Sequence, residues 1–520
     1  MDAAPEAAAA ARPRDAMSRT RRAAINALAA AVDVVARIGV ELALNPLLVG
    51  RLGDHVYGAW RVLWRFTGSV YATTGRASQA LKWSIANRQE SADAEEKRTL
   101  VGSALAVWAL FLPLLIVVGG GLAWLAPSLL DTLPLYRSAV RWAAVFLVLY
   151  TALTSLVDLP RAILQGENLG YKRMGLGTLL ILVVGGLTAL ALFFDLGIAG
   201  VGAATLADPL LAGILFTGVV RSNVPWAGIR RPTRAALAGF LGLSGWFVVW
   251  KLVMQGMLAG DVLVLGVVGS VESVTVYTMT SFAPGAILAL TRLLIAGVAP
   301  GLGGLVGAED REGAARVRGE LNDATWLAVL TSGATLLIWN RSFVEIWVGA
   351  SRYAGAFPTL LIVLMVIQFA LIRNEAGIID LTLSIRGKTL LGLLAAAVSL
   401  VLGALFVGPI DGGIAGLCLG VMAGRGILTV AYPYRIGRLF GLSWARQLRA
   451  ALRPGLTTAA ILALAYPLAG VARATGWPML ILGAAATAPA IGALAFFLGL
   501  PAEGRQALLR RFRKVIRHAR

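Results

Sequence analysis

From residue 23 to residue 500 the chain alternates apolar stretches of roughly 20 residues or more with short polar breaks, and each stretch is long enough to cross a bilayer core as an α-helix. About fourteen spans are predicted, at 23–49, 56–80, 99–126, 138–163, 174–194, 197–220, 237–265, 273–297, 322–347, 355–381, 388–408, 412–434, 453–472 and 476–500. A β-barrel would show shorter segments of alternating polarity. The expected fold class is an all-α polytopic membrane protein. The polar breaks are too short to bury a core of their own.

The pattern repeats. Asp195-Leu-Gly-Ile-Ala-Gly200 recurs as Asp411-Gly-Gly-Ile-Ala-Gly416, a shift of 216 residues that also carries Gly50 to Gly266, Gly53 to Gly269, Arg76 to Arg292 and Lys172 to Lys388. Each copy holds six spans. An even number inserts both copies the same way up, so the predicted architecture is two six-helix bundles related by a pseudo-two-fold axis along the membrane normal. The expected order is a tail at 1–22, a first bundle at 23–220, a second at 237–434, a basic interfacial segment at 435–452, spans 13 and 14 at 453–500, and a basic amphipathic tail at 501–520.

Composition strengthens this reading. Of 520 residues 58% are hydrophobic and 14% charged, with a mean hydropathy of +0.77, against about 25% charged in soluble domains. The formal net charge of +20 points to anionic membrane lipids as partners, and nucleic acid is not expected. Basic residues crowd one set of loops, including Lys82, Arg88, Lys97, Arg98, Arg230, Arg231, Arg386 and Lys388, and the tail RRFRKVIRHAR; the opposite set holds few, among them Arg51, Arg137, Arg341 and Arg473. Both termini are therefore expected in the cytoplasm. The N-terminal stretch has no apolar core before the first long span and reads as a disordered cytoplasmic tail, not a cleaved signal. The one cysteine, Cys418, excludes disulfides and cysteine metal sites, and His55 and His518 show no partner pattern. No metal is expected.

Charge inside the spans carries the candidate chemistry. An ionised residue near the bilayer centre costs about 3 kcal/mol and persists where it faces a cavity or a partner. Six basic residues lie well inside spans: Arg37, Arg61, Arg65, Lys251, Arg373 and Arg425. The acids at comparable depth are Asp33, Glu41, Asp208 and Glu375. Asp33, Arg37 and Glu41 are spaced by four and share one helix stripe; so do Arg61 and Arg65. Under the 216-residue shift Asp33, Arg37 and Glu41 become Val249, Val253 and Met257, and Arg61 and Arg65 become Tyr277 and Ser281. One half alone carries the dense charge, as expected of a binding site placed on a repeated scaffold. The bland reading of the first stripe is a self-paired ladder. The sharper one is a water-filled basic cavity between the halves, lined by Asp33, Arg37, Arg61 and Arg65, in which the six basic residues contact an anionic substrate. The four acids then pair those charges or exchange protons.

No nucleotide-binding loop is present: Arg386-Gly387-Lys388-Thr389 lacks the glycine that a P-loop needs five residues earlier. No HExxH, no GxSxG with partners and no large outer loop is found, so no catalytic residues are assigned and an enzyme is not expected. Two stretches carry a family likeness. NPLLVGRLGDHVYGAW (45–60) is similar to the conserved start of span 2, and GDVLVLGVVGSVESVTVYTMTSFAP (260–284), with Asp261 and Tyr277 at matching positions, to the stretch after span 7, of the Wzx-type polysaccharide flippases. With fourteen spans in two halves, the chain resembles those members of the multidrug/oligosaccharidyl-lipid/polysaccharide exporter superfamily. The resemblance implies a flippase that moves polyprenyl-diphosphate-linked oligosaccharide from the cytoplasmic to the periplasmic leaflet of the bacterial inner membrane, for polysaccharide and lipopolysaccharide biosynthesis. It implies no cofactor, H+ or Na+ as candidate coupling ions, and polysaccharide-assembly enzymes as partners. The alternatives are a lipid II flippase, a multidrug or small-molecule exporter, and a polysaccharide polymerase or ligase.

Overall fold

The fold comes from a computed structural model, which describes residues 19–519 apart from 89–92, 168, 170–174, 308–309 and 382–384. It is helical throughout, as a bilayer demands of a chain whose backbone groups must bond within each segment. The first repeat runs α1 (Arg19–Val70), α2 (Ala77–Asn87), α3 (Ala94–Leu129), α4 (Arg137–Gly166), α5 (Leu176–Phe193), α6 (Gly197–Thr205) and α7 (Ala207–Asn223). The second runs α8 (Arg234–Val268), α9 (Val271–Gly307), α10 (Arg311–Val348), α11 (Ala356–Leu381), α12 (Ile385–Val407) and α13 (Gly413–Phe440), followed by α14 (Trp444–Val471), α15 (Trp477–Leu494) and α16 (Ala502–Ala519). Among the described residues eleven helices are long and apolar enough to cross a membrane. The other three expected spans are α9 and the two limbs of α1.

Spans 1 and 2, expected as separate helices, form α1 with one break at Gly53 (φ 75°, ψ 165°). The break is a reversal. Tyr57 Oη donates to Asn45 Oδ1 at 3.1 Å, although twelve residues of straight helix would separate them by about 18 Å. The helix of span 2 also stops early, at Val70, passes through a 3-10 turn (Tyr71–Thr74), and resumes as α2. At the paired position in the second half, Gly269 ends α8 and α9 begins two residues later. The repeat is visible in the backbone elsewhere too. Asp195 and Asp411 both take φ 53°, and the glycines two residues on, Gly197 and Gly413, take φ 60° and 52°, left-handed values that short polar side chains and glycine tolerate.

Helix starts on the face that carries Arg19 and α16 (the near face) are capped by polar side chains. Asp93 accepts from the Glu95 and Glu96 amides, Asp310 from Gly313, Thr233 from Ala236 and Ser443 from Arg446. The segment expected to lie separately on the membrane at 435–452 instead prolongs α13 and begins α14, with the reversal at Gly441 (φ 71°).

The core has a polarity of its own. Toward the far face one apolar cluster joins both halves, taking Leu48, Val56, Val62 and Leu147 from the first and Val264, Val274, Val344 and Leu417 from the second. Toward the near face the clusters part. One holds α2, α3, α4 and α7 with the first turns of α8, through Phe240; two others hold only second-half helices, including α14 and α15. Among the described residues, therefore, the apolar core shared by the two halves lies toward the far face, and toward the near face the clusters belong to one half each, apart from the first turns of α8.

Candidate functional site

Arg61 and Arg65 sit on the returning limb of α1, roughly 12 and 18 Å below the Gly53 reversal by helix rise. Arg65 crosses the seam: its Nη1 donates to the Leu258 carbonyl of α8 at 3.2 Å, and Gln255 Nε2 donates back to the Arg65 carbonyl at 3.0 Å. Both arginines are half-buried. Their Nε atoms are buried and find no hydrogen-bond partner among the described residues. Two guanidinium groups one turn apart repel each other and leave donors unsatisfied, which burial alone makes costly. Tyr57 lies within electrostatic reach of Arg61, Glu41 and Arg65.

The stripe Asp33–Arg37–Glu41 is not a self-paired ladder. Asp33 accepts from Thr178 Oγ1 of α5 at 2.7 Å and sits against Gly177, where a β-carbon would approach its carboxylate to 2.7 Å. Asp33 is thus bound within the first half. Arg37 is exposed and makes no hydrogen bond or ion pair among the described residues; it acts electrostatically on Tyr150 of α4 and Asp208 of α7. Those two belong to a polar cluster inside the first half. Tyr71 donates to Asp158; Arg161 bonds Asp158 at 3.1 Å, approaches Asp208 at 3.7 Å and lies 4.6 Å over the Phe216 ring. Rings link this cluster to the seam. Trp64 lies 5.8 Å from Trp60 and 5.6 Å from Tyr150.

The remaining candidates lie in the second half and are dispersed. Arg425 is buried over the Phe369 ring at 4.7 Å, donates to the Met257 carbonyl and lies in the field of Asp261, whose carboxylate accepts from Tyr277. Arg373 donates to the Leu288 carbonyl at 3.3 Å. Glu375 is the acceptor of a closed network: Arg318 reaches it with Nε and Nη2 at 2.9–3.0 Å, Asn322 at 2.8 Å, and Gln447 of α14 accepts from the same guanidinium at 3.1 Å. The side chain of Lys251 lies outside the described residues.

The geometry therefore brings Arg65, with Arg61 one turn away, to the seam, while Arg37 lies within electrostatic reach of Asp208 and Glu41 within that of Tyr57. Asp33, Arg373, Glu375 and Arg425 are each engaged elsewhere. Sequence reasoning missed Asp158 and Arg161. Their three-residue spacing in Val157-Asp-Leu-Pro-Arg161 was the available signal, but it lies where span 4 was expected to end, and α4 continues to Gly166. Arg318 falls outside the expected span 322–347, yet it is buried inside α10.

No protein-family profile and no curated protein matches the sequence. Solved structures do. Lipid II flippase MurJ in an inward closed conformation aligns with a TM-score of 0.66 over 90% of this chain and 98% of its own, at 12% identity. A multidrug resistance MATE family transporter of the MOP superfamily, inward-facing, aligns with a TM-score of 0.58 over 80% of this chain and 99% of its own, at 14% identity. MATE in complex with MaD3S gives 0.56 over 81% and 96%, at 14% identity. The chain shares the fold of these structures. The MATE structures account for about four fifths of the chain, and the MurJ alignment reaches further along it.

Proposed function

We propose that this protein is a flippase that moves a polyprenyl-diphosphate-linked oligosaccharide from the cytoplasmic leaflet, at the near face, to the opposite leaflet by alternating access. The observation that carries the reading is the Arg61–Arg65 pair. The pair lies at mid-depth, with Arg65 bonded across the seam between two halves whose shared apolar core lies toward the far face, and among the described residues both guanidinium groups retain unsatisfied buried donors. A diphosphate presents several oxygens to which such forks make paired, charge-assisted hydrogen bonds. Arg37, exposed beside the Tyr150–Asp208 cluster, offers a further contact. A drug cation would instead meet repulsion at the seam.

The longer match to a structure named as a lipid II flippase favours a lipid-linked substrate and keeps lipid II as the second reading, since it carries the same diphosphate. The polar cluster Tyr71–Asp158–Arg161–Asp208 is the candidate site for coupling to H+ or Na+. The basic near face, including α16, suits anionic lipid headgroups. The loop charges favour cytoplasmic termini, and the flippase reading implies the inner membrane of a bacterium. Assembly enzymes acting on the flipped glycan are the proposed partners.

The test is flipping in proteoliposomes with labelled polyprenyl-diphosphate oligosaccharides, lipid II and a cationic dye, each presented at the near face. Flipping of the oligosaccharide lipids without added nucleotide is expected. Efflux of the dye alone would reject the reading, and flipping of lipid II alone would select the second one.

A further inference from the structure

The far-face closure is built on charge as well as on the shared core. His55, two residues past the α1 reversal, has Nδ1 at 2.7 Å from Glu272 Oε1 in the first turn of α9. This pair joins the two halves. Beside it Arg352 Nε donates to Asp54 Oδ1 at 2.7 Å, Thr275 Oγ1 donates to the Asp54 carbonyl at 2.6 Å, and Trp347 Nε1 donates to the Leu42 carbonyl at 2.7 Å. All of these run from α1 to the second half, between the helices that must part if the far face opens. Three kinds of contact in this set are fixed in charge over the ordinary pH range; the imidazole is not.

The surroundings make His55 the variable element. Arg51, one turn earlier, is held by Asp195 at 3.1 Å, and Asp54 is held by Arg352. From α9 and the turn before it the groups facing His55 and its partner are Glu272 itself and Ser270. Burial pushes the Glu272 carboxyl up, but the hydrogen bond from His55, that from its own backbone, the His55 charge and Ser270 together outweigh it and hold the group below the usual carboxylate range. A protonated His55 would thus face an ionised Glu272, and the contact would pass from a hydrogen bond to an ion pair.

We propose that His55 and Glu272 form a proton-operated latch on the far face. Protonation of His55 from the far compartment closes the far gate and returns the protein to the near-face-open state; deprotonation weakens the latch and favours opening. The latch rests on the alternating-access reading. It gives an inward proton gradient a mechanical use that is separate from any proton carried through the first-half cluster, because acid on the far side accelerates the return step.

The experiment reads opening directly. A single cysteine replaces Val274, which is fully buried in the shared far-face core, in a chain carrying Cys418→Ala. A membrane-impermeant maleimide is applied from the far side at about pH 5.5 and about pH 8. Thiol reactivity itself rises with pH, so each rate is divided by that of the same cysteine in a His55→Gln chain, which keeps a neutral hydrogen bond. The expected ratio is about fivefold lower at the acid pH than at the alkaline pH, the size of one exposed charge pair. Glu272→Gln should remove the response in the same way, and the exchange His55→Glu with Glu272→His should restore it. Labelling of the native pair and of His55→Gln with the same pH course would overturn the latch and leave alternating access standing. An absence of labelling in every variant at both pH values would overturn both.

Discussion

At the scale of single residues, the seam arginines and the Glu375 network make opposite predictions. Arg61→Ala and Arg65→Ala should each lower the flipping rate, by about tenfold or more for a lost charge-assisted contact, while thermal stability in detergent is unchanged or raised, since each removes a buried unsatisfied donor. Arg→Lys should recover only part of the rate, because an ammonium cannot present a planar fork. Glu375→Gln should do the reverse. It leaves Arg318 buried without its counter-charge, at a cost of about 3–5 kcal/mol, and should appear as a lowered unfolding temperature and faster proteolysis. Residue spacing made some of this legible in advance. The four-residue interval correctly put Arg61 and Arg65 on one stripe, and the repeat correctly showed that the second half lacks them. Spacing shows which residues share a face and not what that face meets. Asp33 meets Thr178, 145 residues away, and Glu375 meets Arg318, 57 residues away; nothing local encodes either pairing.

At the scale of elements, apolar length marked the helices well, because a bilayer imposes one minimum length on every span. It marked their junctions poorly. Gly53 was expected in a loop, and it is a single reversed residue within one helix. Close approach at this junction gives a prediction. A β-carbon on Gly58 would lie 1.9 Å from the Val271 carbonyl oxygen, a backbone atom that cannot rotate away. Gly58→Ala should therefore prop the halves apart at the far face, with an overpacking cost of about 1–3 kcal/mol. Spin labels on exposed far-face positions of the two halves should report a longer distance in this variant, and flipping should slow. An unchanged distance distribution would show that the far-face contact relaxes by another route.

At the scale of the whole molecule, the proposed flippase would draw on gradients or on consumption of its product. A diphosphate moving outward would carry negative charge toward the positive side, which the membrane potential favours by about 2.3 kcal/mol per charge per 100 mV. Flipping in proteoliposomes should therefore need no ATP and should speed up when the compartment at the far face is made positive. Asp158→Asn and Asp208→Asn should alter the dependence on an imposed pH gradient while leaving the response to potential in place. A rate indifferent to both gradients would leave consumption by later enzymes as the drive. The two-fold organisation that frames this model was legible from one recurring hexapeptide and a few loop landmarks. The state of the molecule was not, because which ends of the halves touch is decided by side-chain packing across hundreds of residues.

The stretch between the halves joins them in sequence but not in mechanics. Arg98 Nε donates to the Trp226 carbonyl at 3.0 Å, Trp226 Nε1 donates to Glu167 at 2.9 Å, and the Arg230 amide donates to the Arg98 carbonyl at 3.2 Å, while Gly102 leaves room for the Arg230 carbonyl. The first turns of α8 then bury Phe240 in the first-half core, and from Trp246 onward the helix meets the second half, Trp246 under Arg386 and Trp250 under Lys388 of α12. Engineering that treats 224–233 as a free tether will fail for this reason. Chimaeras that exchange halves between related chains should be spliced inside α8, beyond Leu241, and tags or inserted domains belong at other near-face turns, where no clamp has to be broken to admit them.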